Sequence, residues 1–183
     1  MRSFSALIVL FGGIPLAGQN VLSIGPLADK PGERQGPAGV VSADILRHPI
    51  KEKTQRLLQD AVKTMNAGEH ENAIRQLLAV LAKYPESAAY VFSLLGVEYL
   101  RTDRFTDALD SFEQAVALLP HDAMNRYNLA VSLLCNHDVE RGEQEARRAR
   151  ELAPTNPAMR ELVDAIERAK SAVADRVPSS TGR

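Results

Sequence analysis

Three prolines recur at a nearly constant interval in the middle of this sequence. Pro85, Pro120 and Pro154 are 35 and 34 residues apart, and each follows an apolar run with helical spacing. Because proline lacks a backbone N–H and crowds the preceding residue, each one ends its helix. A period of about 34 residues is typical of stacked structural repeats. The spacing therefore predicts a chain of repeated two-helix units rather than one closed core.

Aligning the units on those prolines brings small residues together at two places. In the first helix of each unit the aligned residues are Ala61, Gly96 and Ala130, and in the second helix they are Ala73, Ala108 and Gly142. Small side chains let paired helices approach closely, and larger neighbours such as Tyr99 and Phe112 fill the remaining space. A unit of this kind cannot bury its apolar surface alone, so neighbouring units must stack.

The middle unit carries the fullest motif, which consists of Phe92, Leu95, Gly96, Tyr99, Ala108, Phe112, Ala115 and Pro120. This order and spacing resemble the tetratricopeptide repeat, and the resemblance extends over residues 54–156. It implies an all-α, right-handed solenoid of three helix-turn-helix units at 54–87, 88–122 and 123–156. The first unit departs from the motif in its first helix, and the third has Gly142 and Ala146 where Ala and an aromatic residue are usual.

Turn and cap residues mark the ends of several predicted helices. Gly68 fits a helix C-terminus, and Asp103 and Asp138 are predicted to cap the starts of the second helices that follow them. Asn156 and Pro157 open a further helix, predicted over 157–175. Its apolar face consists of Leu162, Val163, Ile166, Ala169 and Val173. This amphipathic helix is expected to cover the end of the last unit.

The region before the repeats has three parts. Residues 1–18 combine Arg2, a short apolar run and small residues, which is the pattern of a signal peptide removed near Gly18. An uncleaved membrane anchor is the alternative. Residues 19–50 form a flexible Gly- and Pro-rich linker that contains a short apolar docking segment, Val40–Leu46. Residues 176–183 are expected to be a disordered tail. We therefore predict a periplasmic or secreted protein.

Composition and motifs argue against several function classes. The 22 Lys and Arg residues nearly balance the 23 Asp and Glu residues, which gives no general reason to bind nucleic acid. The basic run at 147–150 is interleaved with glutamates and has no aromatic neighbours for base stacking. No nucleophile, phosphate-binding or metal-ligand motif is present in the sequence. We therefore predict no catalytic residue, metal, cofactor or small-molecule substrate.

In the repeat family that this chain resembles, the first helices line a concave groove that binds a partner segment. The corresponding residues here are Leu58, Val62, Met65, Tyr90, Ser93, Val97, Leu100, Met124, Tyr127, Asn128, Val131 and Leu134. Most are apolar, with Tyr90 and Tyr127 as candidate anchors. Some family members grip terminal carboxylates with Lys, Arg and Asn. The matching residues here are Leu58, Val62, Leu94, Met124 and Asn128, so that clamp is predicted to be absent.

The sequence thus predicts a non-enzymatic interaction scaffold in a bacterial cell envelope. In this interpretation the groove holds an apolar peptide or an amphipathic helix from a protein partner. The alternative is a structural subunit that self-associates or modulates an assembly. In that case the Val40–Leu46 segment or a second copy of the chain covers the groove.

Overall fold

Seven α-helices follow one another within residues 50–174, the part of the chain that this computed structural model describes. They are α1 Glu52–Asn66, α2 His70–Lys83, α3 Ala88–Arg101, α4 Phe105–Leu118, α5 Ala123–Cys135, α6 Val139–Leu152 and α7 Pro157–Ala174, with a 3-10 turn at Pro85–Ser87. The predicted all-α stack of three helix pairs plus a covering helix is confirmed. The predicted signal peptide, linker, docking segment and tail lie outside the described residues.

The two helices of each unit are joined by the same left-handed turn. Gly68, Asp103 and His137 occupy equivalent positions with φ values of 77°, 58° and 67°. The N–H of each donates to a carbonyl three residues earlier, for example Gly68 to Met65 at 3.1 Å. This is the Schellman ending of a helix. The prediction for Gly68 is confirmed, whereas Asp103 as the cap of α4 is wrong, because its left-handed backbone ends α3 instead.

The chain turns between units at the three prolines. The residues before them, Tyr84, Leu119 and Ala153, share φ near −135° and ψ near 70° (−135° and 70°, −127° and 71°, −138° and 69°). This is the non-helical backbone that a following proline favours. Asp138 caps α6 as predicted, since its side chain accepts a bond from Arg141 N at 3.2 Å. Asn156 likewise caps α7 by accepting from Ala158 N at 3.0 Å.

Close approach inside each unit depends on the small residues. Ala61 and Ala130 are fully buried, and a Cβ added to Gly96 would lie 2.7 Å from the ring of Phe112. The ring of Phe112, itself fully buried, therefore packs directly on the backbone of α3. One apolar cluster spans the first two units and extends to Leu129 and Leu133, and a second joins α5 and α6 to α7. The interior is therefore shared between units, as stacking requires.

One face of α3, of α5 and of α7 packs against the preceding unit. Its buried members are Val91, Leu94 and Glu98 on α3, Asn125, Asn128 and Ser132 on α5, and Met159, Leu162 and Ile166 on α7. The equivalent residues on α1 are Arg56, Gln59 and Lys63, all exposed. The far side of α7 is also polar and exposed at Arg160, Asp164 and Glu167. Within the described residues, the stack thus presents a charged surface at both ends.

Candidate functional site

The first helices lie on the inner side of the stack. Neighbouring first helices, α1 with α3 and α3 with α5, contact each other more extensively than any two neighbouring second helices do. A row of helices that is closer together than its partner row forms the concave side of a curved array. The predicted binding residues therefore belong to helices of the inner face, and their exposure decides which of them a partner could touch.

Burial divides the twelve predicted groove residues into two groups. Seven are buried in the interior, namely Leu58, Met65, Val97, Leu100, Tyr127, Asn128 and Leu134. The other five are half-buried, namely Val62, Tyr90, Ser93, Met124 and Val131. We call these five residues the inner-face strip. Binding by any of the twelve stays a prediction, but only the strip offers side-chain surface without rearrangement of the described helices.

Tyr127 is inside the protein because α7 packs against its side of α5. Its ring belongs to the apolar cluster that contains Met159 and Leu162 of α7, and only 2% of the residue is exposed. Burial, with a smaller contribution from the charge of Glu161, raises the pKa of the Tyr127 phenol to about 12. Tyr127 therefore serves as a packing residue between α5 and α7, and Tyr90 is the tyrosine that remains on the strip.

Polar contacts fix the strip in the second and third units. Ser93 Oγ lies 2.7 Å from Asn125 Oδ1 and 2.9 Å from Ala89 O, which ties α3 to α5. Asn125 is itself buried, and its N–H donates to Asp122 at 2.7 Å. Burial and the nearby Asp122 charge raise the pKa of the Tyr90 phenol, so Tyr90 stays neutral and can donate a hydrogen bond at neutral pH.

A buried carboxylate, which sequence analysis did not single out, joins the first two units. Glu98 is fully buried on α3; its Oε2 lies 2.8 Å from His70 Nδ1 and its Oε1 accepts from Arg101 Nη1 at 3.0 Å. The same Arg101 nitrogen lies 3.5 Å from the carbonyl oxygen of Met65 at the end of α1. Because a buried charge must be paired, this cluster fixes the position of Arg101 between α3 and the end of α1. The available signal was the i, i+3 spacing of Glu98 and Arg101.

Cys135 ends α5 and is half-buried. Burial, with a smaller contribution from the charge of Asp103, raises the pKa of its thiol. A raised pKa keeps the sulfur protonated at neutral pH, which is the opposite of what a reactive cysteine requires. We therefore interpret Cys135 as a small packing residue.

Two arginines of the basic run on α6, Arg147 and Arg148, pair with neighbouring carboxylates. Arg147 bonds Glu143 and Glu167, each at 2.9 Å, and Arg148 bonds Glu145 at 2.5 Å. Glu143 also pairs with Lys170 of α7. Some of these ion pairs form within α6 and others join α6 to α7. They contribute to the outer surface of the stack rather than to a phosphate-binding patch.

Residues 50–174 contain neither a metal-binding cluster nor a membrane-spanning helix. In this part of the chain, no cluster of three or more His, Cys, Asp or Glu side chains has an arrangement that could hold a metal ion. The helices described there also include none that is long and apolar enough to span a bilayer.

A protein-family model supports the resemblance that the motifs gave. The model described as "Tetratricopeptide repeat" matches residues 93–157, which include most of the second unit and all of the third. A search of curated proteins gave no significant match.

Solved structures resemble the fold over a longer range. The first TPR domain of Spaghetti (RPAP3), bound to the HSP90 peptide SRMEEVD, has a TM-score of 0.61 at 19% identity, covering 68% of this chain and 98% of that one. The Sgt2 TPR domain from Aspergillus fumigatus has a TM-score of 0.64 at 14% identity, with coverages of 74% and 91%.

A third similar structure is the Yersinia enterocolitica type III secretion chaperone SycD in complex with a peptide of the translocator YopD. Its TM-score is 0.58 at 16% identity, and the match covers 66% of this chain and 97% of that one. At these identities the similarity shows a common fold of stacked helix pairs.

Proposed function

We propose that this array of tetratricopeptide-like units is a protein-interaction scaffold that holds a polypeptide segment of a partner on its inner face. The observation that carries the proposal is the inner-face strip, in which five half-buried side chains lie on three helices whose backs are packed into one interior. A surface fixed in this way loses little conformational entropy when a partner binds. Two of the similar structures hold peptides, which supports the same class of ligand.

The chemistry of the strip favours an apolar segment over an acidic peptide terminus. Val62, Met124 and Val131 offer aliphatic or thioether surface, and Tyr90 adds an aromatic ring with a hydroxyl group. Among the residues that match the carboxylate clamp of some family members, only Asn128 is of the expected type. Asn128 is itself buried, with only 6% of the residue exposed. We therefore propose that a peptide such as SRMEEVD, which RPAP3 binds, is a poor ligand for this chain.

We further propose that the protein acts by binding rather than catalysis, in the periplasm or outside a bacterial cell. The location rests on the signal-peptide pattern of residues 1–18, with tethering by an uncleaved segment as the alternative. We also propose that the protein binds neither nucleic acid nor a small molecule, and that it can form a homo-oligomer. The charged faces at both ends of the stack disfavour a head-to-tail polymer that continues the solenoid.

Selection of peptides from a random library with the purified full chain tests this function. Val62→Asp and Val131→Asp are expected to lower the affinity for the selected peptides at least about tenfold, because burying a carboxylate in an apolar contact costs more than about 1.4 kcal/mol. Leu78→Asp is the matched control, since Leu78 is 45% exposed on α2, a second helix. Circular dichroism checks that each variant is folded. Equal loss in all three variants, or selection of acidic peptide termini alone, would contradict the proposal.

A further inference from the structure

Part of the inner-face strip lies within reach of the chain's own N-terminal region. Val62 and Tyr90, which belong to the strip in the first two units, are half-buried and precede the third unit, on which α7 packs. We propose that the segment Val40–Leu46 binds this part of the strip within the same molecule, antiparallel to α1, and competes there with a partner. This inference rests on the proposed function, because it assumes that the strip holds a polypeptide segment.

The connection between the segment and the first unit is short. Residues 47–49 alone separate Leu46 from Ile50, and Ile50 packs against the apolar cluster of the first two units. An extended chain advances at most about 3.6 Å per residue, so the Cα of Leu46 lies within about 14 Å of the Cα of Ile50. A ligand on so short a connection has an effective concentration on the order of millimolar. A contact with a dissociation constant well below about a millimolar is then largely formed.

The length of the segment matches the length of α1. From Glu52 to Met65 the helix rises about 20 Å, at 1.5 Å per residue. An extended chain from Ile50 back to Asp44 spans about 20 Å as well. A segment that runs antiparallel to α1 therefore brings Asp44 to the level of Met65.

The cation at that level is already paired with a carboxylate, so apolar contact must carry the fit of the segment. The Arg101 guanidinium lies there, since its Nη1 is 3.5 Å from Met65 O and is held by the buried Glu98. Asp44 is the sole charged residue in the sequence VVSADIL, and the rest of the segment is mainly Val, Ile, Leu and Ala. Its apolar side chains suit Val62 and Tyr90, and burial of apolar surface therefore favours this segment as the occupant of that part of the strip.

Photo-crosslinking of the purified full chain, with no partner present, tests this inference. The photoreactive amino acid p-benzoylphenylalanine is placed at position 62 in one variant and at position 78 in a matched control. We expect mass spectrometry to find position 62 joined to the 40–46 region of the same chain, and position 78 not joined to it. Adding Val41→Asp and Ile45→Asp should lower the yield at position 62 at least about fivefold, and circular dichroism should show unchanged helix content.

Crosslinks at position 62 that join two chains would overturn the inference in favour of a second copy as the occupant. It would also be overturned by crosslinks that avoid residues 40–46, or by a yield that the double substitution leaves unchanged. These outcomes are separate from failure of the proposed function. If peptides bind to neither the wild-type chain nor the Val41→Asp/Ile45→Asp variant, the scaffold function fails; if they bind to both equally, the competition alone fails.

Discussion

Gly96→Ala tests whether the paired helices of the second unit are as close as the structure shows. The new Cβ would lie 2.7, 2.7 and 2.8 Å from three carbons of the Phe112 ring. Favourable carbon–carbon contacts are about 3.5–4.0 Å, so the ring or α3 must move by about 1 Å. Overpacking of this kind costs about 1–3 kcal/mol, whereas alanine returns about 1 kcal/mol of helix propensity. We expect a net loss of up to about 2 kcal/mol in the free energy of unfolding.

A double-mutant cycle with Phe112→Leu isolates the contact. Removing the ring provides space for the Cβ, so Gly96→Ala in the Phe112→Leu background should be neutral or stabilising. Urea denaturation followed by circular dichroism at 222 nm measures all four chains. A coupling energy of about 1–3 kcal/mol is expected between the two sites. The same cost for Gly96→Ala in both backgrounds, or a more stable Gly96→Ala single variant, would refute the reasoning.

Three further predictions follow from other parts of the stack. Gly68→Ala should cost about 1–2 kcal/mol although its Cβ meets nothing within 4 Å, because φ is 77° there; a thermal denaturation midpoint equal to wild type would contradict this. Arg101→Met should destabilise the fold by about 3–5 kcal/mol and Glu98→Leu by clearly less, because only the first change leaves a fully buried charge without its cation. Urea denaturation measures both losses, and an equal or larger loss for Glu98→Leu would contradict this reasoning. Tyr127 should ionise near pH 12, and the stability from its neutral form should be complete below about pH 10 and lost as the pH rises through 12; the step near pH 12 in the absorbance at 295 nm should be absent from Tyr127→Phe, and its persistence would exclude the assignment.

The fold followed from the sequence because its determinants are local and periodic. Pro85, Pro120 and Pro154 end three helices at a fixed interval, and small residues such as Gly96 mark where paired helices touch. Asp103 was misassigned because a single aspartate suits both a helix start and a left-handed turn. Only the hydrogen bond of its N–H to Leu100 O decides between the two.

The site was harder to predict because exposure depends on neighbouring units. Tyr127 and Tyr90 are both tyrosines near the starts of first helices, yet α7 covers one and leaves the other half-buried. Periodicity identifies the inner-facing helices but does not give the distance between successive ones. Glu98 was missed for a similar reason, since its partner His70 comes from a different unit, 28 residues earlier.

The claim that the inner face of the stack holds a polypeptide is tested most directly by locating a bound peptide. A chain with ¹³C-labelled valine and leucine methyl groups would be titrated with a library-selected peptide and followed by NMR. We predict that the largest shift changes occur at Val62 and Val131, with no change at the exposed Leu78 and Leu152 of the second helices. Saturable changes at Leu78 and Leu152, with Val62 and Val131 unaffected, would contradict the account.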